Sequence, residues 1–208
     1  MTGPGIRRGV VAAFMAAGSL GLAACGESAS EGSSESRSDS SADAGSSSPP
    51  PPKGNGVDRA FATLMIPHHR SAVEMAEIGL QRAESLFVRD LSRNIIRTQT
   101  AEIEQLRRAA RTLEEAGVEQ KALGLSRSEM GMNHDASSLE KATKFDRRFI
   151  AMMIPHHEGA ITMARAQLAD GADAKLTTLA EDIITAQQGE IIEMLKHLEN
   201  PSAVHTHH

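Results

Sequence analysis

The sequence predicts an all-α fold: a four-helix bundle assembled from two copies of one helical hairpin. Three observations predict it. Met65-Ile66-Pro67-His68-His69 returns as Met153-Ile154-Pro155-His156-His157, 88 residues later. Around that core, without a gap, Asp58, Arg59, Phe61, Ala72, Met75-Ala76, Leu91, Ile95-Ile96, Gln99 and Glu102-Ile103 match Asp146, Arg147, Phe149, Ala160, Met163-Ala164, Leu179, Ile183-Ile184, Gln187 and Glu190-Ile191. A period of this kind marks a duplicated structural unit. The repeated segments are long runs of Ala, Leu, Glu, Arg and Gln, with no alternating Val/Ile/Thr stretches, which favours helix over strand. Finally, stop and turn residues divide the repeat into four segments, and two hairpins that cannot bury their own apolar stripes pack on each other.

Taken in order, helices are predicted near 58–82, 85–116, 146–169 and 173–199. Asp58 and Asp146 are candidate N-caps, whose carboxylates would take up free amides of a first turn. Gly117 and Asn200-Pro201 are stops, and Gly171 marks the second hairpin's turn. Pro67 and Pro155 either begin a helix or lie inside a longer one. The apolar residues before each proline stay in phase with those after it, which favours the interior position. The folded domain then spans 57–200, with 117–145 joining the hairpins.

What precedes the domain reads as targeting and tether. Arg7-Arg8 followed by apolar Val10–Leu22 has the form of a signal segment, too short for a membrane span. It runs into Leu22-Ala23-Ala24-Cys25-Gly26, which resembles a bacterial lipobox: 1–24 would be a lipoprotein signal peptide cleaved to leave a lipid on Cys25. Residues 25–56, rich in Ser, Gly and Pro, cannot bury enough apolar surface to fold and read as a disordered tether. The expected location is the cell membrane, lipid-anchored on the extracytoplasmic face. Residues 201–208 form a His-rich tail. Loss of Arg7 and Arg8 with the signal takes the formal charge from −5 to −7, which argues against nucleic acid as a partner. Cys25 is the one cysteine of the chain, so a soft-metal site in the mature protein would have to use its methionines and histidines.

Helical phase, at about 100° per residue, identifies the inward side chains. On the second helix Gln99 and Glu102 fall inside the stripe of Val88, Leu91, Ile95, Leu106 and Leu113. On the fourth, Gln187 and Glu190 fall among Leu176, Leu179, Ile183, Met194 and Leu198. A carboxylate inside an apolar stripe is costly unless paired or metal-bound. On the first helix Phe61, Met65, Ala72 and Ala76 set the inward direction, with His68 and His69 on its two sides. Adjacent histidines so splayed do not chelate one ion together. Met65 lies within a turn of both. Met75, about 10 Å further along the axis than His68, belongs to another site or to the core.

The pattern Asp-x-x-Phe-x-x-x-Met-Ile-Pro-His-His-x-x-Ala-x-x-Met-Ala, present as Asp58 to Ala76 and Asp146 to Ala164, resembles the bacterial family catalogued as domain of unknown function 305. So does the downstream Gln-x-x-Glu-Ile of 99–103 and 187–191. The resemblance implies a ferritin-like four-helix bundle that is exported, with copper binding and copper tolerance linked to some members. It carries over His68, His69, His156, His157, Met65, Met75, Met153 and Met163 as candidate ligands, and Met130, Met132 and His134 as a methionine- and histidine-rich connector.

The expected function is metal binding or sequestration, with copper first and zinc as the other ion that imidazole suits. The partners are then a metal ion and, through Cys25, the membrane. The alternative is a helical scaffold whose inner His and Glu only fix register. Catalysis is not expected. A di-iron centre needs Glu-x-x-His on two helices, whereas this chain has Gln-x-x-Glu, with no histidine three residues after Glu102 or Glu190.

Overall fold

A computed structural model describes residues 53–133 and 136–200. The signal, Cys25, most of the tether, His134 and the tail lie outside the described residues. Among the described residues the secondary structure is wholly helical: α1 (Gly56–Arg82), α2 (Leu86–Glu115), a short α3 (Ser137–Glu140), α4 (Phe145–Asp170) and α5 (Ala174–Glu199). The four predicted helices are present, each within two residues of its expected ends. α1 packs on α2 and α4 on α5, and the hairpins meet chiefly along α1 and α4.

The N-caps differ from expectation. Asn55 caps α1, accepting from the amides of Val57 and Asp58 at 2.8 and 3.3 Å, while Asp58 accepts the Asn55 amide at 2.6 Å to close a capping box. Ser85 caps α2 and Asp173 caps α5. The N-cap position of α4 is Lys144, which makes no side-chain capping bond. Asp58 and Asp146 instead reach across to the opposite hairpin. Asp58 accepts the amides of Ala172 and Asp173 at 3.0–3.1 Å and the Gln167 amide at 2.5 Å. Asp146 accepts the amides of Glu84 and Ser85 at 2.9 and 2.8 Å. Subtracting the repeat offset turns one pair of amides into the other, so the two hairpins are related by a pseudo-twofold axis. Each hairpin's first helix fastens the other's turn.

Pro67 and Pro155 lie inside α1 and α4. A proline cannot donate to the carbonyl four residues back. Those residues, Thr63 and Ala151, are exposed, so water can take up both carbonyls. α2 ends on Gly117 at φ 72°, with Val118 N–H bonded to Leu113 O at 2.9 Å, the left-handed stop expected of a glycine there.

The core divides into two apolar clusters. One gathers Phe61, Met65, Leu106, Leu113, Met130, Met163, Leu176 and Ile183. The other gathers Met75, Val88, Ile95, Phe145, Phe149, Met153 and Met194. On all four long helices the residues of one cluster are separated from those of the other by polar side chains: His68-His69, Gln99 and Glu102, His156-His157, Gln187 and Glu190. A polar layer therefore crosses the middle of an otherwise apolar bundle.

Candidate metal centre

All four histidines of the layer are buried, none more than 2% exposed. Their helices send the two members of each pair in different directions. The rings of His68 and His69 stand 6.1 Å apart, and those of His156 and His157 6.4 Å. Across the α1–α4 seam, however, His68 and His156 meet with ring centroids 3.7 Å apart. As repeat equivalents they flank the pseudo-twofold axis. The outer pair turns toward the partner helix of its own hairpin. His69 Nε2 lies 2.7 Å from Glu102 Oε2, and His157 Nε2 shares a 2.7 Å hydrogen bond with Glu190 Oε2. Glu190 is further held by the Asn94 amide at 2.7 Å. The repeat equivalent of Asn94 is Asp182, which is exposed, so the two halves of the layer are alike but not identical.

Several buried atoms of this layer find no hydrogen-bond partner: both ring nitrogens of His68, Nδ1 of His69 and of His157, and Oε1 of Gln99 and of Gln187. Leaving a buried polar group unsatisfied costs about 1–3 kcal/mol, so these atoms together tax the fold unless a ligand engages them. Burial, reinforced by the nearby His69 and His157, lowers the His68 pKa to about 3, against the smaller opposing pull of the Met130 and His156 carbonyls. At neutral pH its imidazole is uncharged, the form that binds a metal ion.

The candidate residues from the sequence sort as follows. His68 and His156 come together, as do His69 with Glu102 and His157 with Glu190. Met65 and Met163 share the first apolar cluster; Met75 and Met153 share the second. Each cluster thus holds a methionine from each hairpin, one cluster on either side of the polar layer. Met75 and Met163 share a cluster with the other repeat's motif methionine, which one helix considered alone does not reveal. Met130 is buried in the first cluster and Met132 packs partly buried against it. Among the described residues no three His, Cys, Asp or Glu side chains converge as a ligand set. An ion in this layer would have to be completed by thioether or amide donors.

The sequence reading missed Asn94 and the cross-hairpin use of Asp58 and Asp146. It also missed His197, buried and stacked on Phe87 at 4.5 Å. Asn94 and His197 have no like residue in the other repeat (Asp182 and Ala109), so the duplication gave no signal for either.

The fold and the layer together define a class: a duplicated helical-hairpin bundle with a histidine–glutamate stratum at its centre. Residues 58–198 match the family model described as Domain of unknown function (DUF305), and the chain belongs to that family. It is similar to CopM in the Cu(I)-bound form, with 34% identity, 70% of this chain and 98% of that chain covered, and a TM-score of 0.58. CopM in the Cu(II)-bound form gives a TM-score of 0.60 over 69% of this chain and 96% of that chain, at the same 34% identity. A DUF305 fragment from Deinococcus radiodurans is 27% identical, covering 71% of this chain and 99% of that chain, with a TM-score of 0.60. The uncharacterized protein L153 of Acanthamoeba polyphaga mimivirus is 45% identical over 49 residues, 24% of this chain; the chain spans about a third (32%) of that curated relative.

Proposed function

We propose that this domain binds a soft metal ion, copper first, at the polar layer, for binding or sequestration rather than catalysis, and that it does so outside the cytoplasm on a lipid carried by Cys25. The observation that carries the metal reading is the set of buried, unpartnered imidazole nitrogens on His68, His69 and His157. With Nε2 of His69 and His157 directed to Glu102 and Glu190, each Nδ1 is the ring's remaining donor atom. The glutamates then orient the histidines, as carboxylates commonly do behind metal-bound imidazoles. His68 and His156 offer nitrogen at the axis, and the pairs Met65/Met163 and Met75/Met153 offer sulfur on either side. Structural zinc sites take four nitrogen, sulfur or oxygen ligands in a tetrahedron. Imidazole and thioether donors without a His/Glu triad suit Cu(I) better. The likeness to copper- and silver-bound CopM supports the same ion class. Among the described residues no helix is long and apolar enough to cross a membrane, and the membrane assignment rests on the lipobox alone. Loss of membrane association in Cys25→Ser tests it.

The metal reading is tested by thermal denaturation of the chain ended at Asn200, which removes the tail histidines. Binding to the folded state at one hundred times Kd adds about 2.7 kcal/mol. For a domain of this size that raises Tm by about 5–11 °C. Cu(I) and Ag(I) are expected to give this rise, Zn(II) less. If Cu(I), Ag(I), Cu(II) and Zn(II) all leave Tm unchanged, the layer is a register device and the protein a scaffold.

A further inference from the structure

The two flanks of the layer use the same residue types at the same distance, yet only one is a hydrogen-bonded pair. His157 Nε2 and Glu190 Oε2 bond at 2.7 Å. His69 Nε2 also lies 2.7 Å from Glu102 Oε2, but out of line for a hydrogen bond, and both atoms stay without a hydrogen-bond partner. Distance alone does not make the bond, which weakens steeply as donor, hydrogen and acceptor bend out of line.

The difference continues outward from the layer. Glu190 Oε1 accepts from Asn94 Nδ2 at 2.7 Å, and Asn94 Oδ1 accepts from Arg97 Nη2 at 2.6 Å. Arg97 can only donate, so it takes the oxygen end of the Asn94 amide and leaves the NH2 end for Glu190. Three bonds in series, Arg97–Asn94–Glu190–His157, thus run from the exposed side of α2 across to the other hairpin. In the first flank the corresponding residues are Thr185 and Asp182, both exposed. An ionised Asp182 has no proton to offer Glu102, and Glu102 Oε2 is the oxygen left unpartnered.

A carboxylate only accepts, so the bonded His157 carries its proton on Nε2 and its lone pair on Nδ1. That Nδ1 is buried and unpartnered. At His69 neither ring nitrogen is hydrogen-bonded, so no bond selects its tautomer.

We propose that Arg97 and Asn94 are positioning residues that act through Glu190 to present His157 Nδ1 to a soft cation, which makes the two flanks unequal. The consequence for affinity rests on the metal reading. The bond series and the tautomer it selects belong to the metal-free protein. The second flank is therefore oriented in advance, and by residues of the other hairpin, whereas the first has the histidine and the glutamate without the outer arm.

The test uses the full chain carrying Cys25→Ser as parent, and the same chain with Asn94→Ala or with Asp182→Asn and Thr185→Arg together. The double variant grafts the missing arm onto the first flank at two exposed positions. Imidazole 15N shifts in metal-free protein report the tautomers, and competition with a Cu(I) chelator reports affinity. In the parent, His157 is expected in the single Nε2-protonated form and His69 in a mixture. Asn94→Ala is expected to mix the His157 tautomers and to weaken Cu(I) by about tenfold, the lower end of the range for losing an outer orienting group. The grafted variant is expected to bring His69 to the single form without weakening Cu(I). The proposal is overturned if His69 and His157 show the same tautomer populations in the parent, an outcome that needs no variant to fold. It is equally overturned if a folded Asn94→Ala keeps the single His157 form, or binds Cu(I) as tightly as a Cu(I)-binding parent. If the tautomers behave as expected while no protein binds Cu(I), the metal reading fails and the hold of Asn94 on His157 stands.

Discussion

Replacing His68 with leucine is expected to stabilise the metal-free protein while removing its response to metal. His68 is fully buried and neither ring nitrogen completes a hydrogen bond. The change removes a penalty of about 1–3 kcal/mol for each unsatisfied group. Against this stands the contact with the His156 ring at 3.7 Å, worth about 0.5–1.5 kcal/mol by analogy with aromatic pairs. With both ring nitrogens unsatisfied, the expected net gain is about 0.5–5 kcal/mol at pH 7. A pH signature accompanies it. The unfolded imidazole titrates near 6.5, the folded one at about 3. Between those values the unfolded chain holds a proton that the native protein lacks, so stability is complete above pH 6.5 and falls as pH drops toward 3. The slope is about 1.4 kcal/mol per pH unit, or about 2 kcal/mol between pH 7 and pH 5 from this group. His68→Leu lacks that loss. Urea denaturation at pH 5, 6 and 7 with a chelator present measures both effects, as midpoint shifts at constant slope. A variant less stable than the parent by more than about 1 kcal/mol at pH 7, or one with the parent's full pH dependence, would refute the reasoning. His68 would then be a satisfied core residue.

Glu190→Gln should leave the fold intact, since Asn94 can still bond the side chain, but it withdraws the charge behind His157. Cu(I) affinity should drop by about 10–100-fold in chelator competition. Met65→Leu with Met163→Leu preserves volume in the first cluster and should cost under about 1.5 kcal/mol per site. It should weaken Cu(I) and Ag(I) while leaving any Zn(II) affinity unchanged in calorimetric titration. Asp58→Ala strips the acceptor from Gln167 and from the amides of Asn55, Ala172 and Asp173, whereas Asp146→Ala strips it from two amides. Charged hydrogen bonds are worth about 1.5–3 kcal/mol each, so urea midpoints should fall for both and further for Asp58→Ala. Burial alone would raise the Asp58 pKa, but those hydrogen bonds outweigh it and hold the carboxyl below its usual 3.8. Its contribution is present above that value and lost as pH falls below it, so the gap between parent and Asp58→Ala should narrow in acid.

The hairpins were legible in the sequence because the signals that built them are local: helical periodicity, stops, and a repeat without gaps. The polar layer was half legible. Phase placed Gln99 and Glu102 in the stripe and splayed His68 from His69, as the structure has them. Phase on one helix says nothing of which residue faces it from another hairpin. The contacts of His68 with His156 and of Asp58 with the 172–173 turn depend on the axis relating the copies, which no linear pattern encodes. Asp58 and Asp146 carried a correct signal, a duplicated acid seeking free amides, with an incomplete address: both take amides of the opposite turn, and only Asp58 also takes one at the start of its own helix, from Asn55. Gly159, where a Cβ would lie 2.3 Å from the Met130 carbonyl, is legible only as a departure from the repeat, whose other copy has Ser71 there.

Duplication also bears on why the motif needs two histidines. A residue on the seam between α1 and α4 meets its own repeat equivalent across the axis, so one histidine per hairpin yields a ring pair in close contact, as His68 and His156 form. A residue turned off the seam meets its own hairpin's second helix and yields two separate copies of one contact, as His69–Glu102 and His157–Glu190 form. Consecutive positions on a helix, about 100° apart, supply one of each. The doubled His-His is thus the shortest sequence that writes both an axial pair and two carboxylate-backed flanks into a bundle of this symmetry. Loss of the axial pair and loss of a flank should then differ in kind. His68→Leu should abolish the metal-induced rise in Tm, while His157→Leu, which leaves Glu190 with Asn94 alone, should destabilise the metal-free protein and only reduce that rise. Equal effects of the two substitutions in both assays would mean that the four histidines act as one undivided cluster.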